Sequence, residues 1–254
     1  MRDWQRYLCL LVLGPVFWGQ GKYVRKVTPQ LPEPEGPREG VTGKGPILRL
    51  LIAGDSAAAG VGVNSQEHAL CGQLVQQLSQ RFTVKWQLTA LTGLDSPGLE
   101  SMLKTMCPQP IDVVVLSIGV NDVTNLMSPD AWIHWQTRLA QGIFSRHSPK
   151  LLIHSAVPPM HGFTALPQPL RWFMGNWAKE MNQRLEQSLQ GEARKLFNWP
   201  IHSAVSDGLA SDGFHPGPIG YVAWATGLSE MIAEVNFEPF GGRKLDPNRM
   251  NLCC

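Results

Sequence analysis

The chain has 254 residues, 43% of them hydrophobic and 17% charged, and a net charge of +2. That length buries a full core in one α/β domain and leaves residues for a tail. So small a charge, with no basic patch interleaved with aromatics, speaks against nucleic acid as a partner.

The first element is apolar. Tyr7 to Trp18 is interrupted only by Gly14 and Pro15, with Arg2 and Arg6 before it and Lys22, Arg25 and Lys26 after it. The run falls short of the ~20 residues that span a bilayer as a helix. It suits a signal-peptide core, an interfacial anchor or a helix packed on the domain. No small-x-small cleavage site follows, and the excess of positive residues on the far side weakens the case for export. The expectation for residues 1–27 is membrane contact through residues 7–18, with a membrane or cell-envelope location and the cytoplasm as the alternative. Residues 28–46 hold Pro29, Pro32, Pro34, Pro37 and Pro46 with four glycines. They read as a linker or a strap along the surface, unable to form a packed element.

From Ile47 onward strand and helix patterns alternate. Leu48–Ala53 reads as a strand, 66–81 as a helix and Val84–Leu91 as a second strand. Gly98–Met106 is a short helix, and Ile111–Ile118, β-branched and apolar, is a third strand suited to a sheet centre. Helix follows over Pro129–Phe144, strand over Lys150–Ala156, helix over Leu170–Gly191, a short strand over Lys195–Trp199 and a last helix over Ile219–Val235. This alternation predicts a five-stranded, mainly parallel sheet covered on both faces. The domain runs over 47–236, with a tail at 237–254. Tryptophans 132, 135, 172, 177 and 224 fall in the helical segments, where burial is the expectation. Five cysteines without paired spacing fit neither a disulfide framework nor a zinc site, and Cys71 and Cys107 read as small core residues. The closing Asn-Leu-Cys-Cys, with Cys253 and Cys254, does not match the C-a-a-X prenylation pattern.

The chemistry sits where apolar strands end. Gly54-Asp55-Ser56 follows the first strand, Gly93 the second, and Gly119-Val120-Asn121-Asp122 the third. Asp212-Gly213-Phe214-His215 precedes the last helix. If the first strand lies between the second and third, Ser56 and Asn121 flank the point where strand order reverses, the usual place for a ligand in such sheets. A serine hydroxyl attacks only if a neighbouring histidine takes its proton. That histidine needs an acceptor on its other nitrogen, and Asp212 and His215 can meet both needs from one loop. Backbone N–H groups of Ser56 and Gly93 and the Asn121 side-chain amide are candidate donors to an oxyanion. Asp55 and Asp122 read as loop-holding carboxylates. His154, at a strand end, is the nearest of the other histidines and reads as structural.

Gly54-Asp55-Ser56 with Gly60, then Gly93, Gly119-x-Asn121-Asp122 and Asp212-x-x-His215, resembles the SGNH (GDSL-type) hydrolase family, in its bacterial esterase branch. The resemblance implies a three-layer α/β/α fold of flavodoxin-like order and ester hydrolysis without metal or cofactor. It implies Ser56 as nucleophile, His215 as base, Asp212 orienting it, and an oxyanion hole from Ser56, Gly93 and Asn121. The expected activity is a serine esterase acting on small or medium acyl or acetyl esters. Alternatives on the same fold are a non-catalytic carbohydrate- or lipid-binding protein and an acyltransferase. The loops Val123–Asp130 and Pro158–Arg171 are the candidate pocket walls.

Overall fold

The computed structural model describes residues 3–198 and 208–235; Trp199, His202, Cys253, Cys254 and the tail at 237–254 lie outside them. In chain order the described residues form α1 (Asp3–Val27), β1 (Glu39–Thr42), β2 (Ile47–Gly54), α2 (Ser56–Ala59), α3 (Leu70–Leu78), β3 (Thr83–Ala90) and α4 (Ser96–Thr105). Then come β4 (Val113–Ser117), α5 (Val120–Thr124), α6 (Pro129–His147), β5 (Leu151–Ser155), α7 (Leu170–Ser188), β6 (Lys195–Asn198) and α8 (Pro218–Glu234).

One sheet carries the fold, in the order β1-β3-β2-β4-β5-β6. The five strands expected from the sequence are parallel, and β2 does lie between β3 and β4. Side-chain alternation along the strands sorts the core into two faces. Leu50, Ile52, Val113 and Val115 meet α3 and α8, with Leu74, Tyr221 and Leu228 across from them. Leu51, Ala53, Val114 and Leu116 meet α4 and α6 through Leu99, Leu139 and Ile143. Every residue of β4 is buried, as a central strand covered on both faces requires. Each large apolar side chain so enclosed contributes roughly 1.5–3 kcal/mol over its exposed state.

Four expectations need correction. The Pro/Gly-rich segment is a strap, but Glu39–Thr42 within it pairs antiparallel with β3 and makes the sheet six-stranded. An edge strand needs only backbone partners, and this one lies open to solvent on its outer side. The helix expected over 66–81 is broken: a 3-10 turn at Gln66–His68 and extended Ala69 precede α3. Cys71 is buried as expected, whereas Cys107 is exposed in the turn between α4 and β4. Of the helical tryptophans, Trp132 and Trp177 are core, while Trp172 is exposed.

α1 packs along α7. Phe17 stacks on Phe173 with ring centroids 4.6 Å apart, and Val24 is buried in the same cluster. Arg6 reaches Glu180 at 3.0 Å, both side chains being nearly enclosed. Gln20 accepts from the Leu170 backbone N–H and donates to the Gln168 carbonyl, tying α1 to the start of α7. No described helix is long and apolar enough to cross a membrane.

Candidate active site

The site begins with a constraint on one glycine. A Cβ at Gly54 would stand 1.9 Å from the Ser117 carbonyl oxygen, so only glycine lets β2 end this close to β4. The Asp55 N–H then donates to Ser117 O at 3.1 Å, and the chain turns into α2 with Ser56 as its first residue. Asp55 caps that short helix by accepting from the Ala57 N–H at 3.1 Å. Burial pushes its carboxyl up to about 7, against the pull of that hydrogen bond. On the other side of α2, the Tyr221 hydroxyl of α8 lies 2.7 Å from the Val61 carbonyl and 3.0 Å from that of Ala57. The turn bearing Ser56 is thus held from below by a carboxylate and from the side by a buried phenol.

Three of the sequence-expected residues meet in one relay. Ser56 Oγ lies 2.9 Å from His215 Nε2, and His215 Nδ1 lies 2.6 Å from Asp212 Oδ2. The other oxygen of Asp212 accepts from the backbone N–H groups of Phe214 and His215, each at 3.0 Å. Burial alone would raise the Asp212 carboxyl, but hydrogen bonds from the His215 side chain and from those two N–H groups outweigh it and hold it below the ordinary value. An ionised Asp212 fixes the tautomer with the proton on Nδ1, which leaves Nε2 as the acceptor facing Ser56.

Gly93 and Asn121 lie at the same edge, at the ends of β3 and β4. Gly93 has φ +85°, a left-handed conformation that suits glycine, and space around its Cα is open. The Asn121 amide donates one N–H to the Leu94 carbonyl at 2.7 Å, which links the two loops and leaves a second N–H. Among the described residues no hydrogen bond joins either one to Ser56; the fold gives them a shared edge. Asp122 is a brace, accepting from the Ser96 backbone N–H and hydroxyl at 3.0 Å each, with burial raising its carboxyl to about 6. His154 is enclosed beside Gln136 at 3.3 Å, and burial lowers it to about 3, which keeps it neutral.

Beside the relay opens a pocket of about 910 Å³, its solvent-open part included. Its base is the Ser117–Val120 turn, and its walls include Val157, Pro158, Pro159, Phe163, Leu209, Phe214 and Trp224. The expected loop at Pro158–Arg171 therefore divides: Pro158, Pro159 and Phe163 face the pocket, while Leu166 and Leu170 are core. Val123–Asp130 contributes no wall, because Val123 is turned fully into the core under α7. Trp224 is expected from the sequence only as a buried helical residue, and Tyr221 is not singled out there. They are aromatic residues in an apolar helix, and only the contact of α8 with the Ser56 turn gives them a place at the site.

The described residues contain no group of three or more His, Cys, Asp and Glu that could hold a metal ion. Residues 52–223 match the GDSL-like Lipase/Acylhydrolase family. The chain belongs to this family. By class it is a carboxylic ester hydrolase. No curated protein sequence gives a significant match. Among solved structures, a lipolytic protein of the G-D-S-L family from Veillonella parvula is similar over 74% of this chain and 100% of its own, with a TM-score of 0.61 at 13% identity. A family 3 carbohydrate esterase from Clostridium thermocellum aligns at 18% identity with a TM-score of 0.57, covering 72% of this chain and 94% of its own. The acetylxylan esterase Axe2 from Geobacillus stearothermophilus aligns at 18% identity and a TM-score of 0.55, covering 77% and 96%. At these identities the likeness concerns the fold: the three-layer α/β/α arrangement is common to all of them.

Proposed function

We propose that the protein hydrolyses small or medium acyl esters with Ser56 as nucleophile, His215 as general base and Asp212 as the residue that orients it. The observation that carries this reading is the continuous relay from Ser56 Oγ through His215 to Asp212. In the first half-reaction Ser56 Oγ attacks the ester carbonyl as its proton passes to His215 Nε2. Negative charge gathers on the former carbonyl oxygen, where the N–H groups of Ser56 and Gly93 and the free N–H of Asn121 stabilise it. The imidazolium, paired with Asp212, then protonates the departing alkoxide, leaving an acyl-enzyme. Water activated by the same imidazole attacks that ester, and the acid leaves as Ser56 regains its proton.

The pocket supports placing the acyl chain against Val157, Phe163, Phe214 and Trp224, which offer it an apolar surface. One of the structural neighbours is a carbohydrate esterase and another an acetylxylan esterase by name, which keeps an acetyl group within the range considered. A series of activated esters from acetate to octanoate separates the sizes. Each methylene buried in an apolar pocket contributes about 0.8 kcal/mol, or roughly fourfold in kcat/KM. The expected profile rises from acetate through butyrate and ends where the pocket is full. Preference for acetylated sugars with no response to chain length would remove the acyl pocket from the account, and no hydrolysis of any ester would remove the account itself.

A further inference from the structure

We infer that the outward face of α1 docks on an anionic phospholipid surface. Helical spacing divides α1 into two faces. Arg6, Leu10, Leu13, Phe17, Gln20 and Val24 face α7, and their ion pair, ring stack and amide bonds already fasten the helix to the domain. The opposite face therefore has no partner within the described residues, and it is not polar. Trp4, Tyr7, Leu8, Leu11 and Trp18 stand on it, with Leu11 80% and Trp18 63% exposed. A surface helix of a water-facing protein normally carries charge there.

The composition of that face selects the occupant. Two tryptophans and two tyrosines (Trp4, Tyr7, Trp18 and Tyr23) are exposed along the helix. Such rings favour the headgroup level of a bilayer, with an apolar body and a polar tip. The far end of the face is basic: Lys22, Arg25 and Lys26 are all exposed, and Lys22 Nζ lies 3.7 Å from the centroid of the Trp18 ring. No acidic residue occurs between Asp3 and Glu33, so nothing along the stripe opposes a negative surface. Apolar rings beside a cationic end, on a helix lying against its domain whose apolar run, Tyr7 to Trp18, is shorter than a span, describe an interfacial helix. The inner face of α1 packs on the cluster that also supplies the pocket walls Val157 and Phe163, so the docked surface and the ester pocket share one core.

Vesicle co-sedimentation of the full chain tests this without reference to its activity. Binding to vesicles of phosphatidylcholine with phosphatidylglycerol is expected to exceed binding to phosphatidylcholine alone by about a hundredfold, the three basic residues giving roughly fivefold each. Raising the salt should reduce that excess. The double variant Leu11→Glu, Trp18→Glu should bind anionic vesicles at least about tenfold less, because two apolar contacts are lost and two negative charges face the lipid. Its thermal transition should match the wild type, since both side chains point away from the domain. Wild-type protein that stays in the supernatant with anionic vesicles overturns the inference, as does a folded variant that still binds like the wild type. Dimers in vesicle-free solution that this variant abolishes would identify a second copy as the occupant and overturn it too.

Discussion

Replacing Asp212 by Asn separates the orienting role of this carboxylate from its role in shaping the loop. In the wild type one carboxylate oxygen accepts from the N–H groups of Phe214 and His215 at 3.0 Å, and the other from His215 Nδ1 at 2.6 Å. An asparagine oxygen can keep both backbone bonds, so the loop and the fold should persist. The amide nitrogen then faces His215 Nδ1 and can only donate, which forces the imidazole proton to Nε2. That nitrogen, 2.9 Å from Ser56 Oγ, can no longer accept the serine proton. In serine hydrolases the wrong tautomer lowers kcat by about 10⁴, or about 5 kcal/mol of transition-state stabilisation. The assay is kcat for an activated ester alongside a urea unfolding curve. The expected result is a kcat loss of that order with an unchanged unfolding slope and a midpoint near the wild type. A folded variant that keeps kcat within about tenfold would refute the orienting role.

Two further substitutions probe how the Ser56 turn is held. Tyr221→Phe removes a hydroxyl whose acceptors are the Val61 and Ala57 carbonyls, one of them within a buried pair. Leaving such a carbonyl unpaired costs about 1–3 kcal/mol, and calorimetry should show Tm lowered by roughly 2–4 °C for each of them; an unchanged Tm would show that the bond is dispensable. Asp55→Asn concerns pH. The folded state raises the Asp55 carboxyl from 3.8 to about 7, so the native protein holds this proton more tightly than the unfolded chain. The associated stability is complete below the unfolded value and is lost as pH rises to about 7, up to roughly 4 kcal/mol in all. Asparagine keeps the acceptor for the Ala57 N–H but does not titrate. Stability of the variant relative to the wild type should therefore rise between about pH 4 and pH 7 in urea unfolding, and a fall over that range would contradict the buried-carboxylate reading.

The parts of the fold that could be read in the sequence are those where burial dictates residue type. β4 is legible because a strand covered on both faces must be an unbroken apolar run, and Val113 to Leu116 is one. Ser56, Asn121 and the Asp212–His215 pair are legible because each follows such a run or opens a helix, with glycine marking the turn. What escaped notice is held by backbone or by distant contacts. β1 has no apolar face of its own; Glu39 to Thr42 is a strand because β3 offers free backbone groups. The break at Ala69 interrupts an otherwise continuous helical pattern; Gly72 accompanies it, but reads as an ordinary helix position until the backbone of Gln66 and Glu67 is laid against it. Tyr221 and Trp224 look like any aromatic residues of a buried helix until α8 is laid against the turn after β2. Val123 suits a pocket wall by its place after Asn121, yet α5 turns it into the core.

The account rests on one hydroxyl. Incubation with a fluorophosphonate followed by peptide mass spectrometry should find a single adduct on Ser56, and Ser56→Ala should take up no label while unfolding like the wild type. An adduct on another residue, or a folded wild-type protein that takes up none, would contradict the assignment of Ser56 as nucleophile.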